Sequence, residues 1–209
     1  MTHATLSDHV LLLVLWISWC VIHSLLISEA CMRMMRRLPA SVASWHRLLY
    51  VMISVVTLVS ILLFQWRMDA VMLWEWRWPW SVLQWLGLIT AALLFASAAR
   101  VYDHSLFFGF RQLREQRLEP ALGSGVFFSK GILAHIRHPY YTAGILVLLF
   151  WGQGDSAMLI MRTVGIAYLY AGTVLEERKL IKAFGDAYRQ YQRDVPMFFP
   201  RLFRNPGRS

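Results

Sequence analysis

The residues best suited to chemistry gather in the second half of the chain. His135-Ile136-Arg137-His138-Pro139-Tyr140-Tyr141 is the first cluster. Pro139 biases His138 toward an extended backbone and suits the first turn of a following helix. A guanidinium and an imidazole thus meet a helix N-terminus, whose free N–H groups and dipole favour an anion such as a carboxylate or phosphate. Glu176-Glu177 is the second cluster, with Arg178 and Lys179 behind it. It reads either as a solvated ion-paired patch or as a carboxylate site for a cationic group. Two smaller features carry titratable groups. Asp103-His104 pairs an imidazole with a carboxylate able to orient it, which is the make-up of a general base, although a surface pair has the same signature. His23 lies within an apolar run, as a satisfied packing histidine or as a functional one. Cys20 and Cys31 are too few for a disulfide framework or a zinc site, and no metal is expected.

The elements that must position these groups belong to a membrane protein. Hydrophobic residues make up 57% of the 209 positions and charged residues 16%, against about half and a quarter in soluble domains. Runs 10–28, 48–66 and 80–99 are each close to the roughly 20 residues that a bilayer demands. A shorter run over 140–151 and another over 158–175 flank Gly152-Gln153-Gly154-Asp155, which predicts a helical hairpin with a tight turn. The first run carries no basic flank before it and is read as a retained helix, not a signal peptide. The expectation is an all-α integral membrane protein of about five transmembrane helices, one domain over 1–209. Residues 1–99 supply three helices and 100–209 a cofactor-binding core with the hairpin and a tail.

Arginines and lysines concentrate after the first, third and fifth runs, so the positive-inside rule puts the N-terminus outside and the long polar stretches in the cytosol. The net charge of +9 is explained by this topology and by anionic lipid headgroups, and no nucleic-acid motif accompanies it. Trp74, Trp76, Trp78 and Trp80 read as an interfacial belt, and Arg162 as a structural side chain that snorkels outward. No repeat suggests a transporter. Leu180, Ile181, Phe184, Tyr188 and Tyr191, spaced by three and four, predict that the last helix continues beyond the glutamates as an amphipathic segment kinked at Gly185. Val195-Pro196-Met197-Phe198-Phe199-Pro200 then ends it and is expected to fold back as a lid.

If the hairpin forms, the anion site and the carboxylate site become neighbours. A zwitterion with an α-carboxylate and an α-amino group fits that pair, and S-adenosylmethionine is one candidate. Gly131, Arg137-His138-Pro139, Tyr140-Tyr141, Glu176-Glu177, Leu180, Phe184-Gly185, Tyr188, Tyr191 and Val195-Pro196 resemble the motifs of a membrane methyltransferase family. That family includes isoprenylcysteine carboxyl methyltransferases, phospholipid N-methyltransferases and bacterial thiol S-methyltransferases. The resemblance implies S-adenosylmethionine as cofactor, held by His138, Pro139, Tyr140, Tyr141, Glu176, Glu177 and Arg137. Arg137 or His138 is expected on the methionine carboxylate and Glu176 on the amino group. Tyr140, Tyr141 or Phe128 is expected against the sulfonium by cation–π contact.

Substrate identity is tilted by two features. The prenylcysteine enzymes have an arginine four residues before the first glutamate, where this chain has Gly172. Segments 103–112 and His23-Ser24-Leu25 are similar to the thiol S-methyltransferase branch. The expected substrate is therefore a small thiol such as methanethiol, with Arg111, Gln112 and His23 as substrate residues and His104, Asp103 and Arg137 as the catalytic set. A carboxyl or phospholipid methyltransferase is the alternative within this family, and a membrane sensor or assembly factor the alternative outside it. Membrane lipids are the expected partners, and the resemblance suggests a bacterial inner membrane with the catalytic face in the cytosol.

Overall fold

The computed structural model describes residues 4–101, 110, 114 and 131–200. Its elements run α1 (Leu6–Leu26), α2 (Glu29–Met35), α3 (Ala40–Ala43), α4 (His46–Trp66), β1 (Met72–Trp74), α5 (Trp80–Ala99), a 3-10 turn (Gly131–Ala134), α6 (Pro139–Phe150), β2 (Gly154–Asp155), α7 (Ser156–Phe184) and α8 (Asp186–Asp194). Among the described residues, four stretches are long and apolar enough to cross a bilayer: Leu6–Leu26, Ala40–Trp66, Trp80–Ala99 and Ser156–Phe184. α6 is apolar but has 12 residues, about 18 Å at the helical rise, against the ~30 Å of a hydrocarbon core. Leucines, valines and tryptophans stand exposed along these helices, among them Val10, Val14, Val55, Val56, Trp85 and Leu93. Such an apolar exterior suits lipid as solvent, and the chain is an all-α integral membrane protein.

The chain divides into two compact units. The first holds residues 4–75, 110, 114 and 152–164. Its α1 opens with a capping box in which Thr5 and Asp8 satisfy each other's backbone N–H groups. α1 packs on α4, and its Leu12 and Trp16 are buried. The contact is pinned by Trp16 Nε1 donating to Gln65 Oε1 at 3.1 Å and Trp19 Nε1 to the Ser54 carbonyl at 3.2 Å. Buried polar groups inside a membrane helix need such partners, since lipid offers none.

Trp74, expected in an interfacial belt, packs within this unit. β1 pairs antiparallel with β2, and Gly154 admits the Trp74 ring, because a Cβ at that position would lie 1.9 Å from Trp74 Cδ2. Arg162 reaches the same turn as a snorkelling side chain does, but ends buried, not in solvent. Its Nη2 donates to the Gln153 carbonyl at 3.1 Å and its guanidinium lies over the Trp74 ring at 4.8 Å. The cation is thus held by a carbonyl and a π face, which replace the water it would otherwise seek.

The second unit holds residues 76–101, 131–151 and 165–200. α5 and α6 pack closely there, and Gly87 lets the Phe150 ring approach. α6 also meets the later part of α7 through small residues, Gly144 beside Leu169 and Gly165 beside Leu148. α7 continues unbroken past both glutamates to Phe184, and Gly185 at φ +58° turns the chain into α8. Leu180, Ile181 and Phe184 of α7 pack against Tyr188, Tyr191 and Val195, so the three-and-four spacing marks an interior seam.

Candidate active site

The site is built where α6 begins, α7 passes and α8 ends, all within the second unit. Thr173 and Glu177 are one helical turn apart on α7 and both buried, in line with the seam that continues to Leu180, Ile181 and Phe184. Glu176, rotated by about 100° on the same helix, keeps its side chain 32% exposed. Adjacent glutamates thereby acquire different surroundings.

Glu177 is a hub of hydrogen bonds. Its Oε1 lies 2.7 Å from Arg137 Nε, 2.6 Å from Arg137 Nη2 and 3.1 Å from His138 Nε2, and accepts from Tyr188 OH at 3.4 Å. Its Oε2 accepts from Gln192 Nε2 at 2.9 Å. Arg137 Nη1 reaches the end of α8 and the residue just beyond it, donating to the Gln192 carbonyl at 3.0 Å and to the Val195 carbonyl. The pair is buried on both sides, where an unsatisfied charge would be costly and a fully hydrogen-bonded one is tolerated.

A strap over residues 195–198 closes this corner. Arg137 N–H donates to the Pro196 carbonyl at 3.0 Å and His138 N–H to the Met197 carbonyl at 3.2 Å. Thr142 Oγ1 donates to the Phe198 carbonyl at 3.0 Å, and Tyr191 OH reaches back to the Leu133 carbonyl. The strap is fastened largely through backbone atoms, so Pro139, which has no N–H, sits at the helix start where none is required.

His138 ends with its Nδ1 facing Glu176 Oε2 across 3.9 Å and the Tyr141 ring edge-on at 5.6 Å. Burial pushes its imidazole below the ordinary histidine value, against the pull of Glu176 and Glu177. Burial likewise pushes the Tyr191 phenol up to about 12, and raises Tyr188 further beside Glu177. All three are therefore neutral near pH 7.

Tyr141 also closes on α7. A Cβ at Gly172 would stand in van der Waals contact with the ring, 3.4 Å from Tyr141 Cε1, so Tyr141 lines the space into which a longer side chain there would extend. Tyr140 turns the other way, toward Phe95 of α5 at 5.8 Å.

The chain is 32% identical over 184 residues to methanethiol S-methyltransferase of Pseudomonas deceptionensis, covering 81% of this chain and 64% of that protein. Methanethiol S-methyltransferase 2 of Bradyrhizobium diazoefficiens is also 32% identical, over 165 residues, 76% of this chain and 61% of the relative. The Mycobacterium tuberculosis methanethiol S-methyltransferase is 29% identical over 192 residues, 87% of this chain and 74% of the relative. The chain is related to the methanethiol S-methyltransferases. It spans just under two thirds of the length of the first two of these relatives. No family model and no solved structure matches.

Of the residues that the sequence marks in this methanethiol S-methyltransferase relative, the structure brings together Arg137, His138, Pro139, Tyr141, Glu176 and Glu177. Tyr140 is directed elsewhere, and Asp103, His104, Arg111, Gln112 and Phe128 lie outside the described residues. His23 stands in the first unit, its Nδ1 3.1 Å from Ser54 Oγ and its Nε2 2.6 Å from Tyr50 OH, stacked on Trp19 at 4.8 Å. It borders a cavity of about 250 Å³ lined by Leu15, Trp19, Ile22, Ser54 and Thr57. Tyr188 and Gln192 complete the Glu177 hub, yet the sequence assigns neither to the site, Tyr188 standing only among its motif residues. The three-and-four spacing detects Tyr188 as an apolar contact, and nothing in the sequence signals Gln192. Among the described residues no group of three or more His, Cys, Asp or Glu is placed to hold a metal ion.

Proposed function

We propose that the chain is an S-adenosylmethionine-dependent methyltransferase acting on a small thiol, methanethiol or a close analogue, at the cytosolic face of a bacterial inner membrane. The observation that carries this reading is the similarity to several methanethiol S-methyltransferases over most of the chain. The site supports it. His138 Nδ1 and Glu176 Oε2 converge across 3.9 Å, a donor-poor gap that fits the α-ammonium of an amino-acid-derived cofactor. Tyr141 stands beside that gap, where its ring face suits a sulfonium.

When bound, the cofactor supplies an electrophilic methyl group on a positively charged sulfur. The chain's residues hold and orient. Glu176 takes the ammonium, His138 assists through Nδ1, and Arg137 with Glu177 fixes both in place without touching the reactants. With its ammonium held by Glu176 and His138, the cofactor would present that methyl group in line to a thiolate sulfur, with a thioether as the product. The thiol proton leaves to a base, for which Asp103 and His104 are the candidates, and Arg111, Gln112 and His23 remain the substrate residues. Alignment of the two sulfurs, more than covalent help, is what such a transfer asks of a protein.

Tyr141 packed into the clearance of Gly172 favours the thiol over a prenylcysteine carboxylate, since no cation stands at that position to meet one. The test is headspace chromatography of the purified chain in nanodiscs with cofactor and methanethiol, beside a farnesylcysteine analogue. Dimethyl sulfide from the thiol, absent in Glu176→Ala, supports the reading. Ester from the farnesylcysteine analogue without thioether from the thiol overturns the substrate, and no product from either overturns the activity.

A further inference from the structure

We propose that Glu177 is a positioning residue that fixes His138 in one tautomer, making Nδ1 an acceptor that forms with Glu176 a slot for a ligand ammonium group, and that a proton competes for this slot. The inference rests on the cofactor reading above and deepens it.

The tautomer follows from valence. Glu177 Oε1 lies 3.1 Å from His138 Nε2, and the carboxylate of a buried arginine pair only accepts, so Nε2 carries the hydrogen. In a neutral imidazole Nδ1 then holds a lone pair. That lone pair faces another acceptor, Glu176 Oε2, at 3.9 Å, beyond hydrogen-bonding distance. An ammonium nitrogen placed at the apex donates to both.

The charges agree with a single occupant. Arg137 and Glu177 cancel at contact distance, leaving Glu176 to be matched by one positive charge. The groups facing His138 are Glu176 and Glu177 from α7, Tyr141 beside it on α6, Arg137 next in the chain, and Tyr188 of α8 through the shared Oε1. Two sources supply the positive charge: the ligand, or a proton on Nδ1 that turns His138 into a cation lying between two carboxylates. These states exclude each other, because the protonated Nδ1 loses its lone pair and repels the ammonium. Burial keeps His138 neutral near pH 7, so the slot stands ready there and fills with a proton as the pH falls.

The experiment compares two ligands on the full chain in nanodiscs by titration calorimetry between pH 5 and 8.5. S-adenosylhomocysteine carries the ammonium. 5′-Methylthioadenosine shares the adenosine and thioether but lacks the amino-acid head. Below the His138 pKa the dissociation constant for S-adenosylhomocysteine is expected to rise by up to tenfold per pH unit, while that for 5′-methylthioadenosine stays flat. His138→Asn, which keeps an acceptor near Nδ1 but does not titrate, is expected to flatten the first profile. Nitrogen NMR of histidine-labelled protein without ligand reads the tautomer directly, with Nε2 protonated in the wild type and both tautomers mixed in Glu177→Gln. Binding of both ligands with equal pH profiles overturns the slot while leaving the cofactor reading intact. No binding of S-adenosylhomocysteine at pH 8 overturns the cofactor reading and the slot with it. A wild-type spectrum with Nδ1 protonated overturns the positioning role even if Glu177→Gln does not fold.

Discussion

Removing one partner of the Arg137–Glu177 pair tests whether the corner of the site is held by a buried ion pair or by the apolar seam around it. Both side chains are less than a tenth exposed, so solvent screens them little, and stranding one buried charge costs about 3–5 kcal/mol. Arg137→Met removes the bonds to Glu177 and also strips donors from the Gln192 and Val195 carbonyls, which places it toward the upper end. Glu177→Leu strands Arg137 and takes the acceptor from His138, Tyr188 and Gln192. The double variant leaves no stranded charge within the pair. Its cost is expected to fall short of the sum of the singles by about 2–3 kcal/mol, near the upper end of measured couplings between contacting residues. Reversible unfolding in mixed micelles measures all three. Additive costs, or single variants costing less than about 1 kcal/mol, would show the pair to behave as a solvated one and would remove the basis for treating Glu177 as the organiser of the corner.

Gly87→Ala is expected to destabilise the α5–α6 contact by about 1–3 kcal/mol through overpacking, since its Cβ would meet Phe150 Cδ2 at 2.2 Å; the cost should shrink in a Phe150→Ala background, measured by the same unfolding assay. Gly185→Ala meets no atom within 4 Å and is expected to cost about 1–3 kcal/mol from the positive φ alone, which the same assay reads against Gly185→Asn as the milder change. Melting temperature against pH should reveal His138: its folded value lies below the ordinary 6.5, so its contribution is complete above that pH and is lost as pH falls through the folded value. His138→Asn should flatten that acid limb. At the alkaline end the raised Tyr191 acts in the opposite sense, contributing fully below 10 and losing this as pH rises through about 12, a limb that Tyr191→Phe should abolish.

The long apolar runs of the sequence become helices because lipid permits little else for a single segment, and their ends fall within a few residues of the composition boundaries. The fourth run is short in both the sequence and the structure, and the contacts of its Gly144 with Leu169 and of its Leu148 with Gly165 are those of a helix leaning on its neighbour. Continuation beyond the glutamates was legible from side-chain spacing, and the end of the helix from the prolines of 195–200. The division of labour between Glu176 and Glu177 was not legible, because adjacent identical residues differ only in which helix face is covered. Nor was the occupation of Arg137: its partners include the carbonyls of Gln192 and Val195, and a carbonyl has no identity in sequence. The pairing of β1 with β2 was hidden for the same reason, since tryptophans at an interface and tryptophans over a glycine have the same composition.

The strap imposes an order of events on biosynthesis. Arg137, His138 and Thr142 take their carbonyl partners from positions 192 and 195–198, among the last of the described residues to be translated. A nascent chain in which α6 has formed but residues 192–198 have not yet been made has Arg137, His138 and Thr142 without these carbonyl partners. The corner is completed only when that stretch is free to fold back across the start of α6.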